Sequence, residues 1–278
     1  MVDSVLEQRL VASRPRPLFL IGNKRSGTSH FVRLLNLHPR VFVSHESDAI
    51  WILYQASRNQ PFASHPWDGR IGMDATLAAC GHLLDQALPA TPAFPVAELF
   101  TKMQFRLMMH GSAVQDAYRL KSEVNWIGDK KPVQHADPVV HAFIRQHFPD
   151  ARFLHLVRHP RATVASMLGA GRTWGRVEYW TSESARDVLE RWAVHEQWAI
   201  DVKAALPDRV LTLRFEDLTD SPAATMTSVF TFLGLDTPEP LQRLTRATTT
   251  RDSNAKYDTF ELPHHEGADH LMRLYAYV

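Results

Sequence analysis

Gly22-Asn23-Lys24-Arg25-Ser26-Gly27-Thr28-Ser29 is the stretch of this chain best suited to hold an anion. It follows the phosphate-loop frame G-x-x-x-x-G-K-[ST], but Thr28 stands where that frame has lysine. The usual lysine reaches the β- and γ-phosphates of a triphosphate. Here the cations, Lys24 and Arg25, lie inside the loop, ahead of Ser26. The apolar run Leu18-Phe19-Leu20-Ile21 leads in and predicts a buried strand. Phe31, Val32, Leu34, Leu35 and Leu37 follow with helical spacing, and His38-Pro39 ends them. A strand, a Gly-bounded turn and a helix N-terminus together aim backbone N–H groups and a positive dipole end at an anion. The loop suits a phosphate and is ill suited to ATP with magnesium.

A second cation occupies a comparable place. Arg152-Phe153-Leu154-His155-Leu156-Val157 predicts a strand that runs straight into Arg158. Open α/β sheets bind ligands at such strand ends. Ser166 follows two helical turns later, on a helix expected from about Pro160 to Leu168. A guanidinium and a hydroxyl so placed suit a second phosphate. A structural ion pair of Arg158 with Asp129 or Glu216 is the alternative, and Ser166 alone would be an ordinary helix serine.

The elements that must position these groups alternate. Val41-Phe42-Val43 and Val210-Leu211-Thr212-Leu213 predict further strands, and helices are expected over 46–56, 74–88, 96–120, 137–147 and 183–205. Pro222–Leu233 carries Pro at its first turn and Gly234 just past its end, a helix with both boundary signals. Residues 57–72, with Pro61, Pro66, Gly69 and Gly72 beside Phe62 and Trp67, predict a loop or lid. The first fourteen residues predict a short helix or loose arm, and the tail from Thr248 is polar before a helical segment over 267–275. Strands separated by helices imply a parallel sheet with helices on both faces.

Bulk properties narrow the classes. The chain has 278 residues and a formal net charge of +1, so no electrostatic footprint for nucleic acid is present. The single Cys80 excludes an internal disulfide and a cysteine-based zinc cluster, and its Ala-rich helical setting predicts a core residue. No apolar run approaches the roughly 20 residues of a membrane span. The N-terminal stretch lacks the apolar core of a signal peptide, so the chain reads as cytoplasmic.

Five segments in order carry a family resemblance: Lys24–Ser29; Asp129-Lys130-Lys131-Pro132; Phe148-Pro149-Asp150-Ala151-Arg152-Phe153; Arg158 with Ser166; and Arg214-Phe215-Glu216-Asp217-Leu218 with Pro222 and Phe232-Leu233-Gly234. Together they resemble sulfotransferases that use 3′-phosphoadenosine 5′-phosphosulfate (PAPS), in the R-S-G-T branch that includes tyrosylprotein and many bacterial members. The resemblance spans about residues 17–234. It implies a P-loop NTPase-like α/β fold, a parallel sheet flanked by helices on both faces with a helical acceptor-side insertion. It also implies one domain over 1–278, divided into a phosphosulfate-loop region at 17–45, a helical acceptor-side or lid region at 46–125, a 3′-phosphate-binding core at 126–234 and a tail at 235–278.

The resemblance places the 5′-phosphosulfate on Lys24, Arg25, Ser26, Gly27, Thr28 and Ser29, and the 3′-phosphate on Arg158 and Ser166. Lys130 would contact the bridging oxygen or the 5′-phosphate; a solvated surface lysine is the alternative. The catalytic Glu of the tyrosylprotein type falls on Glu46. A first-turn helix glutamate with Ser44 as N-cap is the competing reading. His45 and the remote His110 are further base candidates, each open to a plain core or surface role.

Sulfuryl transfer asks for positioning and charge stabilisation, so Arg25 is expected to face the transferring group, with Lys24 behind it. No metal is required, and the product would be 3′,5′-ADP. The missing C-terminal G-x-x-G-x-W-K signature leaves only Lys256-Tyr257 as a basic–aromatic pair in the tail. The acceptor is a hydroxyl of a small molecule, a glycan or a tyrosyl peptide, and family habit adds a homodimer as a partner to test. A P-loop kinase with a degenerate loop is the alternative function. Glu216-Asp217 would then serve as a magnesium-binding carboxylate pair, against the structural role that the E-D-L fit favours.

Overall fold

In the computed structural model the structure describes residues 13–68, 71–87, 94–110, 121, 123–173, 184–242 and 254–277. Five strands form one parallel sheet of order β2-β3-β1-β4-β5: β1 Arg16–Gly22, β2 Val41–His45, β3 Trp126–Lys130, β4 Arg152–Val157 and β5 Val210–Arg214. The P-loop NTPase-like expectation holds, including the helical insertion, since α2 Ala49–Ala56, α3 Ile71–Ala87 and α4 Val96–His110 all fall between β2 and β3. The chain divides into two compact units, Met1–Leu20 with Leu35–Arg152, and Ile21–Leu34 with Phe153–Val278.

In the first unit β3 is the central strand, pairing with β1 at Leu20↔Lys130 and with β2 at His45↔Lys130. No strand was expected at Trp126–Lys130. Its residues Trp-Ile-Gly-Asp-Lys are all buried, so neither alternation nor an apolar run marks it. The core beside it is aromatic: Phe19 meets Phe100 and Phe148 at ring centroids 5.5 Å away, and His135 edge-on at 5.1 Å. Cys80 is buried as expected, its Sγ 3.8 Å from the Met103 carbonyl.

The helix expected from Glu46 begins at Ala49 instead. The Ser44 hydroxyl does not cap it, because it donates to Asp129 Oδ1 at 3.0 Å. The Glu46 N–H donates to the Lys130 carbonyl at 3.1 Å, which carries the β2–β3 ladder one residue past the strand. A turn with Glu46 and Asp48 both at φ 55° then makes the transition.

The loop expectation for 57–72 holds through residue 68, with 69–70 outside the described residues and α3 starting at Ile71. The segment is packed down. His65 is 3 % exposed and meets Trp51 edge-on at 4.8 Å, and Trp51 Nε1 donates to the Ala63 carbonyl at 2.7 Å. Of the helix expected over 96–120, residues 111–120 lie outside the described residues, as do 1–12 and 243–253.

In the second unit β4 and β5 pair with α7 Pro160–Thr173, α8 Ala185–Ala205, α9 Phe215–Asp220, α10 Pro222–Leu233 and α12 Glu266–Leu274 around them in sequence; α1 Thr28–Asn36 also belongs here through residue 34. The short helices α5 Pro132–Ala136, α6 Pro138–His147 and α11 Glu239–Gln242 complete the described set. α8 starts with a capping box in which Ser184 and Asp187 satisfy each other's backbone N–H. α10 has Pro222 in its first turn and Gly234 in the left-handed region at its end, as its boundary signals predicted. Trp192, Leu189, Val188 and Val164 form a core with Leu271 and Met272 of the C-terminal helix.

Candidate active site

The second unit contains the anion loop. Gly22 has φ 139°, and a Cβ there would lie 2.5 Å from the Leu156 carbonyl oxygen. Gly27 has φ 87°, and its Cβ would lie 2.3 Å from the Phe215 ring. Only glycine meets both demands, so the two loop boundaries are set by close approach as well as by backbone angle. Between them Arg25 adopts φ 66°. Left-handed backbone in a non-glycine residue is uncommon and persists where surroundings hold it.

Two contacts hold it here. Arg25 Nε donates to Ser166 Oγ at 3.1 Å, and Arg158 Nη1 donates to the Arg25 carbonyl at 2.9 Å. The sequence-predicted Lys24–Ser29 loop, Arg158 and Ser166 are therefore brought together. Helix α1 begins at Thr28, directly after the loop, so the positive end of its dipole lies at the anion loop. Ser26 has no exposed surface and its Oγ makes no hydrogen bond. A buried hydroxyl left so is costly unless a ligand oxygen completes it. The residues present thus fit a phosphate or sulfate group.

Arg158 is 5 % exposed. Its guanidinium stacks over Phe215 at 4.6 Å, and its Nε donates to Asn254 Oδ1 at 2.8 Å. The ion pair once open with Glu216 is mediated by that asparagine, whose Nδ2 donates to Glu216 Oε1 at 2.7 Å. Glu216 also accepts from the His159 N–H at 3.0 Å and from the Tyr277 hydroxyl at 2.7 Å. It is a structural hub, as the E-D-L reading had it. Tyr257 carries the expected basic–aromatic pair, with Lys256 Nζ 4.7 Å above its ring. Burial pushes the Tyr257 hydroxyl up, but contacts with Ser166 and Lys256 and the charges of Lys256 and Arg158 bring it below its ordinary value. Asn254 was not foreseen. It lies in a polar tail where no periodicity or motif distinguishes it.

The first unit contains a carboxylate–lysine pair. Lys130 Nζ donates to Glu46 Oε1. Lys130 is 3 % exposed, which removes the solvated-surface alternative. The Glu46 side chain keeps 39 % exposure, whereas His45 is 7 % exposed. Burial pushes the Glu46 carboxyl up; Lys130, Lys131 and the Lys130 hydrogen bond outweigh it and hold it below the usual carboxylate range. Glu46 is thus ionised and able to accept a proton at neutral pH. His110 ends α4, and its side chain lies outside the described residues.

The Glu46 turn is anchored from beneath. Fully buried Asp129 accepts from the Ser44 hydroxyl at 3.0 Å and the Ser47 N–H at 3.3 Å, with His135 Nε2 3.7 Å away. Burial pushes Asp129 up, but those partners bring it below its ordinary value. Lys131 Nζ meets Asp48 at 2.9 Å and Asp68 at 3.7 Å. Burial raises Asp48 to about 6 despite Lys131, with Asp68 adding to the rise. Lys131 is held above its ordinary value because Asp68, Asp48 and Glu46 outweigh its burial.

Residues 17–239 match the sequence profile of the sulfotransferase family. The chain belongs to the sulfotransferase family. No curated protein sequence matches this sulfotransferase. Among solved structures it is similar to the sulfotransferase domain from the Synechococcus PCC 7002 olefin synthase, with 22 % identity, 95 % of this chain and 96 % of that chain covered, and a TM-score of 0.65. The sulfotransferase domain from the curacin biosynthetic pathway gives 18 % identity, 95 % and 98 % coverage and a TM-score of 0.62. Sulfotransferase STF9 from Mycobacterium avium gives 14 % identity, 95 % and 76 % coverage and a TM-score of 0.51. These likenesses support the fold. No described helix is long and apolar enough to cross a membrane.

Proposed function

We propose that this sulfotransferase moves a sulfuryl group from PAPS to a hydroxyl acceptor, with Glu46 as general base. The observation that carries the donor assignment is the convergence of Arg25, Arg158 and Ser166 around a loop whose buried Ser26 hydroxyl lacks a partner. Arg25 and Arg158 supply two guanidinium groups for a donor that carries more than one anionic group. The Lys24–Ser29 loop would take the 5′-phosphosulfate, and Arg158 with Ser166 the 3′-phosphate. Thr28 in place of the P-loop lysine removes the group that would reach a γ-phosphate, which disfavours the kinase alternative.

The acceptor oxygen forms a bond to sulfur as the bond from sulfur to the 5′-phosphate oxygen breaks. The acceptor proton goes to Glu46, whose lysine neighbours keep it ionised beforehand. Arg25 balances charge on the sulfuryl oxygens and departing phosphate. Lys130, already paired with Glu46, fixes that carboxylate's direction, and the family resemblance gives it the bridging oxygen or the 5′-phosphate as a further contact.

Calorimetric titration with 3′,5′-ADP, wild type beside Arg158→Ala, tests the donor. Tight binding weakened by the substitution supports the reading. Binding of ATP with magnesium instead would restore the kinase alternative. Screening with labelled PAPS across phenols, glycans and tyrosyl peptides then identifies the acceptor.

A further inference from the structure

The loop's first side chain, Asn23, leads away from the anion site into a buried polar network that the proposed reaction does not use. Asn23 is 4 % exposed. Its Nδ2 donates to Glu196 Oε1 at 2.7 Å and to the Trp192 carbonyl at 3.2 Å. Its Oδ1 lies 3.1 Å from His195 Nδ1. Glu196 has no exposed surface, and its other oxygen lies 3.0 Å from His155 Nε2. His155 in turn faces Thr212 at 3.4 Å and packs edge-on against Tyr275 at 5.9 Å.

A carboxylate this deeply placed is costly, and packing alone would be served better by an apolar residue of the same size. What it does here is join the loop that follows β1 to the body of β4. Asn23 directly precedes Lys24 and Arg25. His155 lies on β4, three residues before Arg158. One side chain, Glu196, bonds to both, and the Asn23 carbonyl also accepts from the Ser26 N–H at 3.4 Å.

We propose that Glu196 and Asn23 are positioning residues: the buried Glu196 carboxylate, bonded to Asn23 and His155, sets the Lys24–Ser29 loop against the strand that carries Arg158. This deepens the donor-site reading and rests on it for the ligand, but not for the loop's rigidity. Transfer by positioning is sensitive to displacements of about 1 Å, so the network need not touch the donor to matter.

The test compares Asn23→Asp, Glu196→Gln and the double variant with wild type. Asn23→Asp sets two carboxylates face to face. In the double variant an amide of Gln at 196 again faces a carboxylate at 23, with the roles exchanged. Loss of a buried hydrogen bond to a charged group predicts about 10-fold or greater weakening of 3′,5′-ADP binding in Asn23→Asp, by calorimetry well below its melting temperature. Amide hydrogen exchange of the 22–30 peptide should quicken while other peptides hold. The double variant should recover part of both, since it restores the bond between residues 23 and 196 but not the one to the Trp192 carbonyl. A lowered melting temperature with unchanged affinity and unchanged 22–30 exchange would reduce the network to core structure and overturn the proposal, as would a double variant worse than Asn23→Asp. If wild type itself fails to bind 3′,5′-ADP, the donor reading falls, and 22–30 exchange alone decides: faster in Asn23→Asp supports positioning, unchanged overturns it.

Discussion

Glu46 and Arg25 are the residues on which turnover should depend most, and for different reasons. Glu46→Gln keeps size and hydrogen bonding but cannot take a proton. It should lower transfer by about 100-fold or more while 3′,5′-ADP still binds. Turnover near wild type would move the base elsewhere. Because Lys130 and Lys131 hold Glu46 below the usual carboxylate range, its basic form persists down into acid. The acid limb of kcat/KM should therefore lie below about pH 4.5, with no rise between pH 6 and 8 from this group. A limb near neutrality would point to a histidine. Arg25→Ala should lower turnover by about 100-fold, the scale of one lost charge-stabilising donor. Steady-state rates with PAPS would read both.

At the scale of elements, the loop is held by what surrounds it. Gly27→Ala puts a Cβ into the Phe215 ring at a backbone angle that side chains avoid. It should cost about 2 kcal/mol or more in stability and weaken 3′,5′-ADP binding. Urea titration and calorimetry on the same sample would check it. Ser184→Ala removes one half of the capping box at the start of α8, for about 1 kcal/mol by urea titration with no change in ligand binding. The contrast separates an element that supports the fold from one that shapes the site. The anion loop was legible because its strand, glycines and helix follow each other within Leu18–Leu37. The β3 strand was not, since Asp129 and Lys130 are buried by pairing with Ser44 and Glu46, groups far away in sequence.

For the molecule as a whole, acid sensitivity should come from such buried carboxylates. Asp129 has a depressed pKa in the folded state, so its contribution is present above its ordinary value and lost as pH falls through the folded one. Asp48 runs the other way. Raised to about 6, it holds a proton in the native state that the unfolded chain has released, so its contribution declines as pH rises from about 4 to about 6. Thermal denaturation from pH 2 to 7 should show a shallower acid limb for Asp129→Asn than for wild type. Identical acid limbs would remove Asp129 from the account.

Local order in the chain determined much of this protein: the anion loop, the strand ending in Arg158, the helix of Pro222–Leu233 and the five motif segments that placed it among sulfotransferases. These signals are short-range, because glycine, proline and apolar spacing act on neighbouring residues. Tertiary structure alone decided the partners of the charges. It put Asn254 between Arg158 and Glu216, Lys130 on Glu46, and Glu196 beneath Asn23. Each of those pairs lies tens of residues or more apart along the chain. A buried charge takes whichever partner the fold brings within about 3 Å, and no local pattern records that choice.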